Sequence, residues 1–310
     1  MLEVDFPETM PAFLEEFGTD DRCQDYLYRQ KWPDGFRCPR CEGTRAWRLR
    51  NRVIWVCAGC QYQASLTAGT AFEGTRKPLR YWFLAMYLVT SSKRGISASE
   101  LQRHLDVNYQ TAWAWLHKLR PAMVRPDREP LAGRVEVDEA YVGGRETGRT
   151  GRGAVTNKSI VTCAAERDAD GIGRIRMAVV QNASGPELHG FVKWNVEGGS
   201  VALTDGWLGY SGLGEIGYEH IATAVAGSGL KAHDVLPAPH LVFALLKRWA
   251  LGTYHGSMSA KHLQWYLEEF TFRFNRRSAR SITHRFQRLF EGAVRQRCRT
   301  YREIVQPVPA

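Results

Sequence analysis

The sequence predicts an α/β protein: a mixed sheet covered by helices, preceded by a small metal ribbon and a helix-turn-helix region. Three observations predict it. Paired Cys-x-x-Cys knuckles lie near the start of the chain, helical spacing governs residues 81–119, and beyond a proline- and charge-rich linker the pattern changes to strands. Strands broken by helices, with helices closing the chain, suit helices packed on a mixed sheet.

Composition bounds the rest. The 310 residues have room for two or three domains, and 44% hydrophobic with 24% charged residues is ordinary for a globular protein. Forty-two Lys+Arg against thirty-two Asp+Glu leave a net charge of +10, which points to a polyanionic partner, most commonly nucleic acid. No apolar run reaches a bilayer span, and an N-terminus carrying Glu3, Asp5 and Glu8 does not read as a secretory signal. Cys23, Cys163 and Cys298 are scattered and odd in number, so the expectation is a reducing cytoplasm rather than a disulfide framework. Cys163, in an apolar strand, reads as core.

The elements follow in order. Short amphipathic pieces, 10–17 and 23–28, predict helices leading into the ribbon. Cys38-Pro-Arg-Cys41 and Cys57-Ala-Gly-Cys60, fifteen residues apart, can close a four-thiolate shell around Zn²⁺, with Gly59 easing the second turn. Between them Trp47, Leu49, Val53 and Trp55 alternate well enough for a hairpin over 45–56. A helix is expected over 81–90. Ser97-Ala-Ser-Glu100 is a capping box, opening a helix over Leu101 and Leu105. A turn at 106–108 and a helix over 109–119, bounded by Pro121, complete a helix-turn-helix pattern that offers Gln110, Thr111 and Lys118 to DNA.

After the linker at 124–133, strands are expected over 134–143, 159–166 and 174–181. A helix over 184–194 should carry a second capping box, Ser184 with Glu187. Strands over 200–204 and 220–225 and helices over 241–252, 259–275 and 281–294 follow. The loop 145–157, rich in Gly, Arg and Thr, is expected to be mobile.

Two aspartates stand out. Asp138 lies in a β-branched strand, where a carboxylate is costly to bury without a cation or hydrogen-bond donor. Asp205 closes the apolar run Val201–Thr204 and precedes Gly206, at the strand end where sheet ligands commonly sit. Each alone could be a turn or cap residue; on neighbouring strands they could hold Mg²⁺. His240 and Lys247, seven residues apart, share a helix face, although a lone His at a helix start is more often structural. Lys247-Arg248-Trp249 and Phe272-Arg273-Phe274-Asn275-Arg276-Arg277 interleave cations with aromatics. That suits either phosphate binding or a solvated basic face.

The chain resembles insertion-sequence transposases that join an N-terminal zinc ribbon to an ISXO-like DDE transposase domain. The resemblance rests on the Cys-Pro-x-Cys ribbon, Thr67–Thr75, Val135–Glu139 with Tyr141–Gly144, and Thr204–Trp207. Leu246–Trp249, Gly252–Gly256 and Tyr266–Arg277 complete it, and the motifs run from about residue 20 to residue 290. It implies an RNase H-like catalytic domain over 134–295, after a ribbon region (1–75), a helix-turn-helix region (76–123) and the linker, with a tail at 296–310. It also implies metal-dependent cleavage and strand transfer using Mg²⁺ or Mn²⁺, with Asp138 and Asp205 as the first two acidic ligands. The third position, usually Glu seven residues before a Lys, holds His240 here, with Lys247 in its place. An imidazole removes one negative charge from a site meant for hard cations, so Glu136, Glu139 and Glu269 enter as substitutes.

The partners implied are double-stranded DNA, as element terminal repeats and target, and further copies of the chain in a synaptic complex, in a prokaryotic nucleoid. An inactive DNA-binding derivative and a nuclease that cleaves without joining are the alternatives.

Overall fold

The computed structural model describes residues 7–49, 52–143, 158–169, 171–224, 229, 231–256, 258–279 and 281–306. The mobile loop expected at 145–157 and the end of the strand expected at 220–225 lie outside them. In chain order come α1 (Met10–Phe17), α2 (Asp20–Lys31), β1 (Ala46–Arg48), β2 (Ile54–Cys57), β3 (Gln63–Ser65), α3 (Leu79–Ser91), α4 (Ala98–Leu105) and α5 (Tyr109–Ala122). Then follow β4 (Arg134–Val142), β5 (Ser159–Asp168), β6 (Gly171–Val180), α6 (Gly185–Asn195), β7 (Val201–Asp205), β8 (Glu219–Thr223), α7 (Ala232–Val235), α8 (Pro237–Tyr254) and α9 (Leu263–Phe274). The chain closes with α10 (Ile282–Arg295) and α11 (Tyr301–Val305). These form two compact units: the described residues of Met1–Arg125 with Ala279–Ala310, and those of Pro126–Ser278.

In the first unit β1, β2 and β3 form an antiparallel ribbon, pairing Trp47 with Val56 and Trp55 with Ala64. Lys31, at the end of α2, donates to the carbonyls of Ser65, Leu66 and Ala68, which fastens the ribbon's exit to that helix. The capping box at Ser97 and Glu100 forms as expected, Asp106 turns the chain in the left-handed region, and the Asn108 side chain accepts from Thr111 N–H at 2.7 Å. An aromatic core gathers Phe13, Phe17, Tyr26, Phe83, Phe286 and Phe290, beside a stacked Trp82–Trp115 pair at 4.1 Å.

Two of those rings come from α10. The sequence carried the catalytic domain to residue 295, but that helix belongs to the first unit. Its strongly one-sided apolar face buries Phe286, Leu289, Phe290 and Ala293 there. Gly292 makes the approach feasible, since a Cβ at that position would collide with the Ala122 carbonyl of α5. Within the expected tail, α11 opens on a capping box of Thr300 and Glu303.

The second unit is a five-stranded sheet in the order β6-β5-β4-β7-β8. β4, β5 and β6 are antiparallel, while β7 and β8 run parallel to β4. This three-antiparallel, two-parallel arrangement is RNase H-like. α6 covers one face, packing Leu188, Phe191 and Val192 on Val135, Val137 and Ala202. On the other, α8 and α9 pack Val242, Leu246, Leu267 and Phe270 on Val161, Cys163 and Ala165. Cys163 is core as expected, and burial pushes its thiol well up.

Three expectations change here. The linker is a strap: Leu131 exchanges backbone bonds with Asn195 and Glu197, and the guanidinium groups of Arg174 and Arg176 donate to the Pro130 and Glu129 carbonyls. No capping box forms at Ser184, because the Glu187 carboxylate accepts instead from Gln181 N–H at 3.4 Å. Finally, α8 begins at Pro237 rather than 241; proline suits a first turn, where N–H groups lack helical acceptors. That shift puts His240 in the opening turn of the helix.

Candidate metal and nucleic-acid sites

The strand register puts the two aspartates at matching ends of neighbouring strands, although among the described residues only the four ribbon cysteines form a group of three or more ligands close enough to share one ion. β4 and β7 pair in parallel with Glu136 opposite Leu203, and two residues further along each strand stand Asp138 and Asp205. A step of two keeps both on the face that α8 covers. There His240 Nε2 lies 3.5 Å from Asp138 Oδ2. Asp205 sits at the carboxyl end of β7, its Oδ1 accepting from Trp207 N–H at 3.0 Å.

Burial holds the His240 imidazole below its ordinary value, and the charges of His233 and Lys247 add to this while Asp205 opposes it. A neutral imidazole facing a carboxylate at this distance needs a proton or a cation between them. Two ligand atoms on one ion, at bonds of about 2.0–2.2 Å, stand about 3–3.5 Å apart, so the pair fits a shared cation. His233, whose ring centroid is 6.5 Å from that of His240, is a neighbour that sequence reasoning missed. It lies on α7, a four-residue turn too short to leave a periodic signal.

The substitute carboxylates have other partners. Glu136 is buried; its Oε2 accepts from Ala238 N–H at 2.8 Å and its Oε1 meets Arg167 Nε at 3.2 Å. Glu139 points to the opposite face from Asp138 and accepts from the Tyr210 hydroxyl at 2.8 Å. Glu269, on the buried face of α9, accepts from Tyr254 and from both Nε and Nη2 of Arg273.

The expected phosphate contacts divide. Lys247 and Arg248 are exposed on α8, and Lys247 with Lys158 lines a cavity of ≈ 260 Å³ walled by Tyr141, Val142, Leu246 and Leu251. The arginines at and just beyond the end of α9 have partners within the unit, although Arg277 is exposed. Arg273 pairs with Glu269 at 2.7 Å, Arg276 lies over the Phe272 ring, and Arg277 lies over Phe274 while donating to the carbonyls of Gly173 and Ile172. Arg276 and Arg277 also donate to the carbonyls of Phe272 and Phe274 at the end of α9, and Arg277 latches the start of β6.

The ribbon cysteines form a tight cluster. All four sulfurs lie within 4.8 Å of one another, with Cys38–Cys60 at 3.6 Å and Cys41–Cys57 at 3.5 Å. A tetrahedron with Zn–S bonds of about 2.3 Å has edges of about 3.8 Å, so the set fits zinc. Each knuckle closes in the same way. Cys38 N–H donates to Gly43 O and Glu42 N–H to Cys38 O, while Cys57 N–H donates to Tyr62 O and Gln61 N–H to Cys57 O. The left-handed residues are Glu42 (φ 60°) and Gln61 (φ 61°), just past each knuckle, rather than Gly59. Backbone N–H groups of Cys60 and Gly59 lower the Cys57 thiol to about 6, although burial works against them.

The helix predicted to read DNA is mostly interior. α5 buries Ala112, Trp115, Leu116 and Leu119 along its length and exposes its first turn, where Tyr109 and Gln110 face solvent and Thr111 is half-buried. Lys118 turns back to the Trp82 ring and to Cys298 Sγ at 3.1 Å.

Comparison with known proteins adds a family context. Residues 130–275 match an ISXO2-like transposase domain and residues 18–63 a transposase zinc-ribbon domain. A relative from Halobacterium salinarum, described as an uncharacterized protein in transposable element ISH50, is 32% identical over 132 residues. That stretch is 42% of this chain and 44% of the relative, so less than half of the relative's length is matched. Among solved structures, a Mos1 strand transfer complex aligns over 72% of this chain and 78% of its own at 13% identity and a TM-score of 0.30. A pre-cleavage Mos1 transpososome aligns over 71% and 81% at 13% and 0.28.

Proposed function

We propose, for a chain that joins a transposase zinc-ribbon domain to an ISXO2-like transposase domain, that it is a DNA transposase that binds insertion-sequence ends and performs metal-dependent strand cleavage and strand transfer. The observation that carries this reading is the parallel pairing of β4 and β7, which leaves Asp138 and Asp205 each two residues beyond its last pair, with His240 3.5 Å from Asp138. When bound, Mg²⁺ or Mn²⁺ supplies the positive charge that activates the attacking hydroxyl and stabilises the departing oxygen. Asp138 and Asp205 would hold the ion through carboxylate oxygens, and His240, in its neutral form, would offer a lone pair. Lys247 stands two turns, about 10.5 Å, further along α8, where its ammonium suits a neighbouring phosphate.

The ribbon, held by structural zinc, and the exposed first turn of α5 would bind the terminal inverted repeats. Two ends must meet for transfer, so copies of the chain are expected to act together in a synaptic complex with target DNA.

The test is a strand-transfer assay with element ends in Mg²⁺ and in Mn²⁺. Wild type should join ends to target, Asp205→Asn should bind ends without joining, and His240→Ala should lose joining. Specific end binding with no joining in either metal would replace the proposal with an inactive DNA-binding derivative. Cleavage without joining would indicate a nuclease.

A further inference from the structure

Asp138 is flanked in sequence by two acidic residues, Glu136 and Glu139, and neither faces the site as a ligand. Each instead grips a different segment. Glu136 Oε2 accepts the Ala238 N–H at 2.8 Å, in the opening turn of α8, two residues before His240. Its other oxygen meets Arg167 of β5 at 3.2 Å, so the carboxylate is held from both sides. A helix N-terminus presents N–H groups without helical acceptors, and a buried carboxylate there also complements the helix dipole. On the other face of β4, Glu139 accepts the Tyr210 hydroxyl at 2.8 Å. Tyr210 is fully buried and closes the turn that begins at Asp205.

We infer that Glu136 and Glu139 are positioning residues: from one strand they lock the two segments that carry His240 and Asp205 onto Asp138. The inference rests on the metal-site reading above and deepens it. It explains why three carboxylates within four positions do three jobs. Alternation sends Glu136 and Asp138 to the α8 face, where only Asp138 is left to meet His240, and sends Glu139 to the α6 face. Neither glutamate touches the reacting phosphate. Each acts through the backbone or the hydroxyl of the segment it holds.

The test is a set of double-mutant cycles read by Mn²⁺ affinity of the full-length, zinc-loaded protein, using electron paramagnetic resonance of free Mn²⁺. Glu136→Ala should weaken Mn²⁺ about tenfold alone and have no further effect in the His240→Ala background, while keeping its full effect with Asp205→Ala. Tyr210→Phe should show the reverse pattern, coupled to Asp205 and independent of His240. Glu136→Gln, whose amide oxygen still accepts the Ala238 N–H, should restore most of the affinity, and this protects the test against a variant that fails to fold.

Equal losses in every background, or Gln behaving like Ala, would overturn the positioning roles and leave both glutamates as general fold residues. No Mn²⁺ binding by wild type would withdraw the metal-site reading itself, and this inference with it. Binding without coupling removes the inference alone.

Discussion

Asn275 shows how a polar side chain can complete a sheet. Its carbonyl accepts Ile175 N–H at 2.8 Å and its amide donates to Ile175 O at 3.1 Å, the pair of bonds a neighbouring strand residue would make. β6 is an edge strand, and these bonds satisfy backbone groups where the sheet ends. Asn275→Ala leaves both groups of Ile175 without that partner, so we predict a loss of about 1–3 kcal/mol, read as a lower urea midpoint for the sheet unit. Asn275→Asp, which keeps the acceptor but not the donor, should fall between. An unchanged midpoint for the alanine variant would refute this. Asn275 could be found in sequence as part of Phe274-Asn275-Arg276-Arg277, but its role could not, because Ile175 lies one hundred positions away.

Among the elements, the α5–α10 crossing and the ribbon make separate predictions. Gly292 faces the Ala122 carbonyl, so Gly292→Ala should force the helices apart at a cost of about 1–3 kcal/mol. The expected outcome is a lower melting temperature for the helical unit, and an equal or higher one would count against the crossing. The ribbon depends on its ion. Cys57→Ser, or chelation of the wild type, should unfold β1–β3, release zinc and abolish end-specific binding, while the sheet unit keeps its own unfolding transition. Zinc content near one per chain in Cys57→Ser would contradict a four-thiolate site. Both knuckles were legible from spacing. The left-handed Glu42 and Gln61 were not, because glycine is the usual signal for that conformation and neither position carries one.

At the scale of the whole sheet unit, acid sensitivity should concentrate where the strap meets the sheet. Burial pushes the Glu166 carboxyl up, yet Arg174's side chain and the N–H groups of Ala132 and Arg174 outweigh it, leaving it below its ordinary value of 4.5. A carboxyl lowered in the folded state contributes stability that is present above its unfolded value and is lost as pH falls through the folded one. We therefore predict that the sheet unit loses stability below about pH 4.5, and that Glu166→Gln flattens this acid limb while costing about 1–3 kcal/mol at pH 7. Equal acid limbs in wild type and variant would assign the sensitivity elsewhere. The residues from Glu129 to Ala132, expected as a linker, thereby become part of the sheet unit, held by Arg174 and Arg176.

By itself the sequence determined what is local. Cysteine spacing defined the ribbon, the Ser97–Glu100 box defined the start of α4, and alternation put Asp138 on a strand and Asp205 at a strand end. Hydrophobic order was enough for a mixed sheet under helices. Only the tertiary structure decided what depends on partners distant in sequence. It moved α10 into the first unit through an apolar face that periodicity reveals but cannot assign to a partner. It engaged Arg273, Arg276 and Arg277 with Glu269, two rings and β6, although their composition suited DNA equally well. It also gave Glu136, Asp138 and Glu139 different partners: the Ala238 N–H with Arg167, the His240 ring, and the Tyr210 hydroxyl. The physical reason is common to all three cases. A side chain's role is set by which apolar surface, opposite charge, N–H or solvent it meets, and register and packing choose that partner.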